Sequence, residues 1–93
     1  MHFSKELYLS DSLIKKKRKI CRKIKSGKYS GGAYLIYNNF FNNNLEFMKA
    51  SYFKQDFYRH LPIEILGIAE NYSDAIMELA KRTCKDNNII FDE

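Results

Sequence analysis

The chain has 93 residues, of which 45% are hydrophobic and 29% are charged, and its formal net charge at pH 7 is +5. This usage predicts one globular domain spanning residues 1–93 and excludes a disordered or fibrous protein. No apolar run approaches the roughly 20 residues that cross a bilayer, and the first residues lack the basic and apolar segments of a secretory signal. We therefore expect a cytoplasmic protein that is not embedded in a membrane.

The apolar residues alternate between runs with strand-like composition and segments with helical spacing. In chain order the predicted elements are a strand over Glu6–Leu9, a helix over Ser12–Lys25, strands over Ala33–Tyr37 and Leu45–Met48, a short helix over Ala50–Phe57, a strand over Ile63–Ala69 and a helix from Ser73 or Asn71 to about Lys85. This βαββαβα order predicts an α+β fold with three to four strands and helices packed on one face. Its first six elements match the ferredoxin-like split βαβ arrangement.

Individual residues predict where several of these elements begin, end or become irregular. Gly27 follows the first helix and is expected to end it in a left-handed conformation. Gly67 lies inside the most apolar strand, where it indicates a bulge or a close backbone approach. Ser10 and Asp11 precede the first helix and can accept hydrogen bonds from its free N–H groups. The terminal run Ile89–Phe91 is expected to close the sheet or cover the core.

The first helix is predicted to have two faces. At about 100° per residue, its apolar side chains form a stripe about 120° wide, which suits one buried face. The stripe contains Leu13, Ile14, Ile20, Cys21 and Ile24. Lys17 projects within this stripe, so it either extends past the stripe to solvent or meets an acidic partner.

The basic residues are concentrated on and around this helix. Residues 15–28 hold nine of the sixteen Lys and Arg residues and no acidic residue, so +9 in this segment and −4 in the rest give the net +5. Cations spread over one helix face can neutralise the phosphates of a nucleic acid. The predicted DNA- or RNA-binding residues are Lys15, Lys16, Arg18, Lys19, Arg22, Lys23, Lys25 and Lys28.

Three other interpretations of the basic segment stay open. It can be a solvated face that keeps a small protein soluble, or it can dock on an acidic or nucleic-acid-binding surface of a partner protein. Adsorption to an anionic membrane is disfavoured because the apolar stripe lacks aromatic residues and is needed for the core.

Two interpretations are equally compatible with a second group of polar and aromatic residues, a protein interface and packing at a helix end. The group comprises Tyr52, Tyr58, Arg59 and His60. A homodimer would add burial to so short a chain.

Enzyme chemistry is not predicted. His60 is the one credible catalytic imidazole, and both Cys21 and Cys84 are expected to be buried thiols of a reducing compartment. The sequence has no CxxC, HExxH or phosphate-binding glycine loop, so neither a catalytic residue nor a metal or other cofactor is expected.

Several segments together resemble a family of small uncharacterised proteins from Firmicutes. The similar segments are Leu7–Ser12, Tyr34–Ile36, Leu45–Phe47, Phe57–Arg59, Ile65–Ala69 and Asp74-Ala75. The resemblance covers most of the chain and includes no catalytic signature. It implies a compact bacterial cytoplasmic domain and brings no activity, cofactor or site residue.

Overall fold

The computed structural model describes residues 1–40 and 44–86, with side chains described as far as Thr83. The helices comprise three α-helices and two short 3₁₀ helices, labelled η. The elements are β1 His2–Leu9, η1 Asp11–Lys16, α1 Lys17–Ser26, β2 Tyr34–Asn39, β3 Asn44–Lys49, η2 Ala50–Lys54, α2 Asp56–Arg59, β4 Ile63–Ala69 and α3 Tyr72–Asp86. The closing strand expected at Ile89–Phe91 lies outside the described residues.

The four strands form one mixed sheet in the order β1-β4-β2-β3. β1 runs parallel to β4, whereas β2 pairs antiparallel with both β4 and β3. β2 and β3 are the expected hairpin, with Asn39 opposite Asn44 in its register. The α+β class and the order βαββαβα are therefore confirmed, with α3 as the last described element.

The ferredoxin-like arrangement is wrong for the first half of the fold. In a split βαβ unit the two strands joined by the helix run parallel on either side of a third. β1 and β2 do flank β4, but they are antiparallel to each other. The reason is that β1 ends opposite Ile68 and β2 begins opposite Ala69, at the same end of β4, so residues 27–33 return the chain to that end.

The expectation that all helices pack on one face is also wrong. Leu35 and Tyr37 of β2 share a buried cluster with residues of α1 and η2. On the opposite face, the ring of Tyr72 in α3 lies 5.8 Å from Tyr34 and 5.6 Å from Phe47. Consecutive residues of β2 are buried on both faces of the sheet, and a strand of that kind needs cover on each side.

Gly67 combines both features that its position indicates. Leu66 is an extra β4 residue between two pairs with β2, Tyr37 with Ile65 and Ile36 with Gly67, which is a bulge. A Cβ atom on Gly67 would lie 3.0 Å from Cδ2 of Tyr8. The bulge shifts the alternation of β4, so that Ile65 and Ile68 both reach the buried cluster on the α1 side.

The first predicted helix is two elements. Residues Asp11–Lys16 form a 3₁₀ helix, and the α-helix begins only at Lys17. A 3₁₀ helix has 3.0 residues per turn instead of 3.6, so apolar positions in η1 are out of phase with those in α1. Ile20 and Ile24 are buried as expected, whereas Ile14 is 54% exposed and does not belong to the apolar stripe.

The second predicted helix is interrupted as well. Gln55 has extended backbone angles between η2 and α2. Phe53 is buried, whereas Phe57 is 69% exposed, although the two lie four positions apart, which in a continuous helix places both on one face. The interruption rotates α2 relative to η2, which removes Phe57 from the core.

The side chain of Ser10 joins the end of β1 to the start of α3 and makes no capping hydrogen bond to the first helix. Its buried hydroxyl donates to Asp74 Oδ2 at 2.8 Å and accepts the Glu70 N–H at 2.9 Å. Asn71, one of the two expected caps of α3, accepts the Asp74 N–H at 2.8 Å through its side chain. These bonds fix the N-terminal end of α3 against the ends of β1 and β4.

Candidate nucleic-acid interface

All eight predicted binding residues are exposed. Lys15 and Lys16 end η1, and Lys28 follows the α1 terminus. The remaining five residues lie in α1, where they are Arg18, Lys19, Arg22, Lys23 and Lys25. Side chains of η1 and α1 also line a shallow depression in the surface. The structure thus places all eight residues on the exposed sides of one helical segment and its end, and together we call them the basic surface.

The basic surface has no acidic partner among residues 1–40 and 44–83. The ion pairs in that part of the protein join His2 to Glu64, Arg59 to Asp56, and Arg82 to Glu78. Each lies outside residues 15–28. The positive charge of the segment is therefore not neutralised by these neighbours and stays available to an external anion.

Lys17, the cation inside the predicted apolar stripe, is exposed at the first position of α1. Of the two interpretations, extension to solvent is the one that fits this exposure. Burial raises the pKa of the neighbouring Cys21 thiol, and the ammonium groups of Lys17 and Lys25 partly oppose that rise. Cys21 is a free, half-buried cysteine, and its raised pKa keeps the thiol protonated and weakly nucleophilic at neutral pH.

Ile20 and Ile24 fix the orientation of the basic surface. Both pack into the buried cluster on the sheet. Lys23 and Lys25 lie about 100° to either side of Ile24 on the helix, so they project on opposite flanks. Lys25 Nζ lies 5.5 Å from the ring centroid of Phe3 in β1, which identifies its flank as the one toward β1.

The other flank of α1, which carries Lys19 and Lys23, faces η2. η2 follows β3, at the sheet edge opposite β1. α1 and η2 are in contact, and Phe53 of η2 shares the buried cluster with Ile20 and Ile24. The flank of the basic surface that carries Lys19 and Lys23 is therefore the one next to η2.

Gly27 ends α1 in the left-handed conformation that its position predicts, with φ 75°. Its N–H donates to the Ile24 carbonyl at 3.2 Å, and the Lys28 N–H donates to the Lys23 carbonyl at 2.8 Å. This pair of bonds is a Schellman motif. The Arg59 guanidinium occupies the space beside Gly27, since a Cβ atom there would overlap Nη1 of Arg59.

Gly27→Ala is expected to destabilise the protein by about 1–2 kcal/mol, because alanine is strained at positive φ and its methyl group would displace Arg59. Gly32→Ala is the matched control, since nothing lies within 4 Å of a Cβ atom there and its φ is not positive. Urea unfolding of both variants measures the difference. Equal stability of the two variants would contradict this description of the α1 terminus.

Arg59 and His60 both make hydrogen bonds at a helix end. The Arg59 guanidinium donates to the carbonyls of Phe53 and Lys54 at 2.9 and 2.8 Å and pairs with the Asp56 carboxylate. His60 Nδ1 lies 2.9 Å from the Asp56 carbonyl oxygen. The bonds from Arg59 to the Phe53 and Lys54 carbonyls hold α2 against η2.

Two exposed rings and one half-buried ring form a group beside this packing, which we call the aromatic cluster. Tyr52 and Tyr58 are stacked at 6.0 Å with an interplanar angle of 29°. Phe57 meets Tyr58 edge-on at 5.2 Å, and Tyr58 also contacts the buried Phe53 at 6.2 Å. The exposure of Phe57 cannot be predicted from sequence periodicity, because its spacing from Phe53 is the same as that of two buried residues in a continuous amphipathic helix.

Three further observations concern metal binding, the phenol of Tyr37 and membrane-spanning helices in the described part of the chain. No three His, Cys, Asp or Glu side chains there are grouped so that they could hold a metal ion. Burial and the neighbouring Glu46 carboxylate strongly raise the pKa of Tyr37, so this phenol stays protonated well above neutral pH. Within the same residues, no helix combines the length and apolarity needed to cross a membrane.

Comparisons with family models, curated proteins and solved structures give no match. The resemblance to small Firmicutes proteins stays a prediction, and the functional assignment depends on the residues of this chain.

Proposed function

We propose that this cytoplasmic protein binds nucleic acid, without catalysing a reaction on it, by placing the basic surface along the phosphate backbone. The observation that carries the proposal is the exposed, acid-free segment 15–28 with its nine cations. Within the described residues none of these cations is in an ion pair. An anionic polymer with regularly spaced charges complements such a surface.

The packing of α1 supports binding over simple solubility. Because Ile20 and Ile24 are buried, the rotation of α1 about its axis is fixed, and the same cationic side chains always face solvent. Arg22 projects away from the sheet, and Lys19 and Arg18 lie to either side of it by helical geometry. A chain of phosphates along α1 would release a counterion for each charge that the helix neutralises.

Binding to labelled DNA and RNA at increasing salt tests the proposal. Contact with six or more phosphates is expected to lower the association constant by about 10³-fold or more between 50 and 200 mM salt. Fluorescence anisotropy with single-stranded and duplex probes of several sequences measures this dependence. An affinity that does not change with salt, or no binding at low salt, would contradict the proposal.

The second candidate is docking on an acidic or nucleic-acid-binding surface of a protein. The exposed rings of the aromatic cluster favour it, since tyrosine and phenylalanine are enriched in protein interfaces. The absorbance ratio of the purified protein separates the candidates. Nucleic acid that co-purifies at low salt and is removed at high salt supports the first, whereas a clean protein that shifts no probe supports the second.

A further inference from the structure

We propose that the nucleic acid is single-stranded and that its bases stack on the aromatic cluster Tyr52, Phe57 and Tyr58 while its phosphates follow α1. This inference rests on the proposed function and names its ligand class. It starts from the juxtaposition of two features that the sequence does not connect, an unpaired basic helix flank and a group of exposed rings.

The elements that carry the two features are in contact, because α1 packs against η2. Arg59, which follows Tyr58, packs its guanidinium against Gly27 at the end of α1. The flank of α1 that carries Lys19 and Lys23 faces η2, and Tyr52 lies in η2. A strand whose phosphates follow this flank toward Lys28 therefore passes beside the aromatic cluster.

The rings are accessible and held in place. Phe57 is 69% exposed and Tyr52 is 49% exposed. Tyr58 is half-buried between them and the core, where it contacts Phe53. The one carboxylate within α2, that of Asp56, is paired with Arg59, which reduces its repulsion of a phosphate chain. Large rings kept exposed on packed supports are suited to stacking with a flat ligand.

Stacking on these rings distinguishes single strands from duplexes. Bases in a duplex already stack on one another, whereas unpaired bases can turn toward a ring. Each base stacked on an aromatic side chain raises affinity by roughly five- to a hundredfold, with little dependence on sequence. Cations along the backbone and rings for the bases are the two components of sequence-tolerant single-strand binding.

The test compares Tyr52→Leu/Phe57→Leu with Tyr72→Leu. Each substitution removes an exposed ring and keeps an apolar side chain, and Tyr72, 58% exposed, opens α3 on the opposite sheet face. The probes are a twelve-nucleotide oligothymidylate, the matching oligouridylate and a duplex of the same length. The double variant is expected to bind both single strands at least tenfold more weakly with an unchanged salt dependence, while Tyr72→Leu binds like the wild type.

Four other results would contradict either the stacking inference or the proposed function. Equal binding of single strands and duplex by the wild type, or unchanged binding by the double variant, overturns the stacking inference and leaves the proposed function intact. Equal losses for single strands and duplex, together with a lowered melting temperature, assign the rings a structural role and also overturn it. Binding of no probe by the wild type overturns the proposed function itself, with a protein as the remaining partner.

Discussion

Replacing Lys19, Arg22 and Lys23 together by Glu is expected to weaken nucleic-acid binding by about 10²- to 10³-fold at 0.1 M salt. Each phosphate contact contributes about 0.9 to the slope of log K against log salt. Three contacts therefore raise the association constant at 0.1 M salt, relative to 1 M salt, by nearly 10³-fold, and the variant loses this gain. The new carboxylates repel the backbone in addition. Anisotropy titrations of the variant and the wild type, with the same probe and buffer, measure the loss.

A second triple variant shows whether the loss is local. Lys5, Lys49 and Lys81 are also exposed, and their replacement by Glu changes the net charge by the same amount outside the basic surface. We expect this control to bind nearly as well as the wild type, because none of the three lysines belongs to the basic surface and salt screens exposed charges over a Debye length of about 10 Å. Equal losses in the two variants would show that net charge, and not the basic surface, governs binding.

Ile24→Ala is expected to destabilise the protein by about 2–5 kcal/mol, whereas Ile14→Ala changes its stability by less than about 0.5 kcal/mol. Ile24 is 0% exposed on the side of α1 that packs on the sheet, and Ile14 is 54% exposed in η1. Truncating Ile24 removes buried methyl groups and leaves a cavity, while truncating Ile14 removes contacts mainly with water. Chemical denaturation followed by circular dichroism measures both changes.

The comparison of these two isoleucines tests how the basic surface is anchored. If Ile24→Ala does not fold, Ile24→Val is the milder variant, with an expected loss of about 0.5–1.5 kcal/mol. Similar losses at the two positions would mean that η1 and α1 form one continuous amphipathic helix, as the sequence pattern alone indicates.

Much of the fold follows from local signals in the sequence. The run Ile63–Ala69 is β-branched and apolar and forms β4 with the expected bounds. Gly27 and Gly67 occupy the left-handed helix end and the bulge that their positions indicate. These features depend on backbone preferences of a few neighbouring residues, which is why sequence patterns predict them.

The strand order depended on information that no local pattern carries. Pairing of β1 with β4 joins residues about 60 positions apart, and their parallel direction is set by how residues 27–33 return the chain. The covering of both sheet faces was indicated only indirectly, by the consecutive buried residues of β2. Long-range pairing of this kind is decided by the packing of the whole core.

The candidate site was predicted in part. Charge composition and helical spacing predict segment 15–28 and eight nucleic-acid-binding residues within it, and the structure places all eight on the surface. Phe57 could not be recognised, because the extended backbone at Gln55 that moves it out of the core has no signature in the apolar spacing. The aromatic cluster therefore emerges only from the three-dimensional arrangement.

The most direct test of nucleic-acid binding by α1 is the salt dependence of affinity for the wild type and for Lys19→Gln/Lys23→Gln. If both lysines contact phosphates, the slope of log K against log salt becomes smaller in magnitude by about 1.4–1.8, at 0.7–0.9 per lost contact. An unchanged slope in the variant would contradict contact between this helix flank and the phosphate backbone.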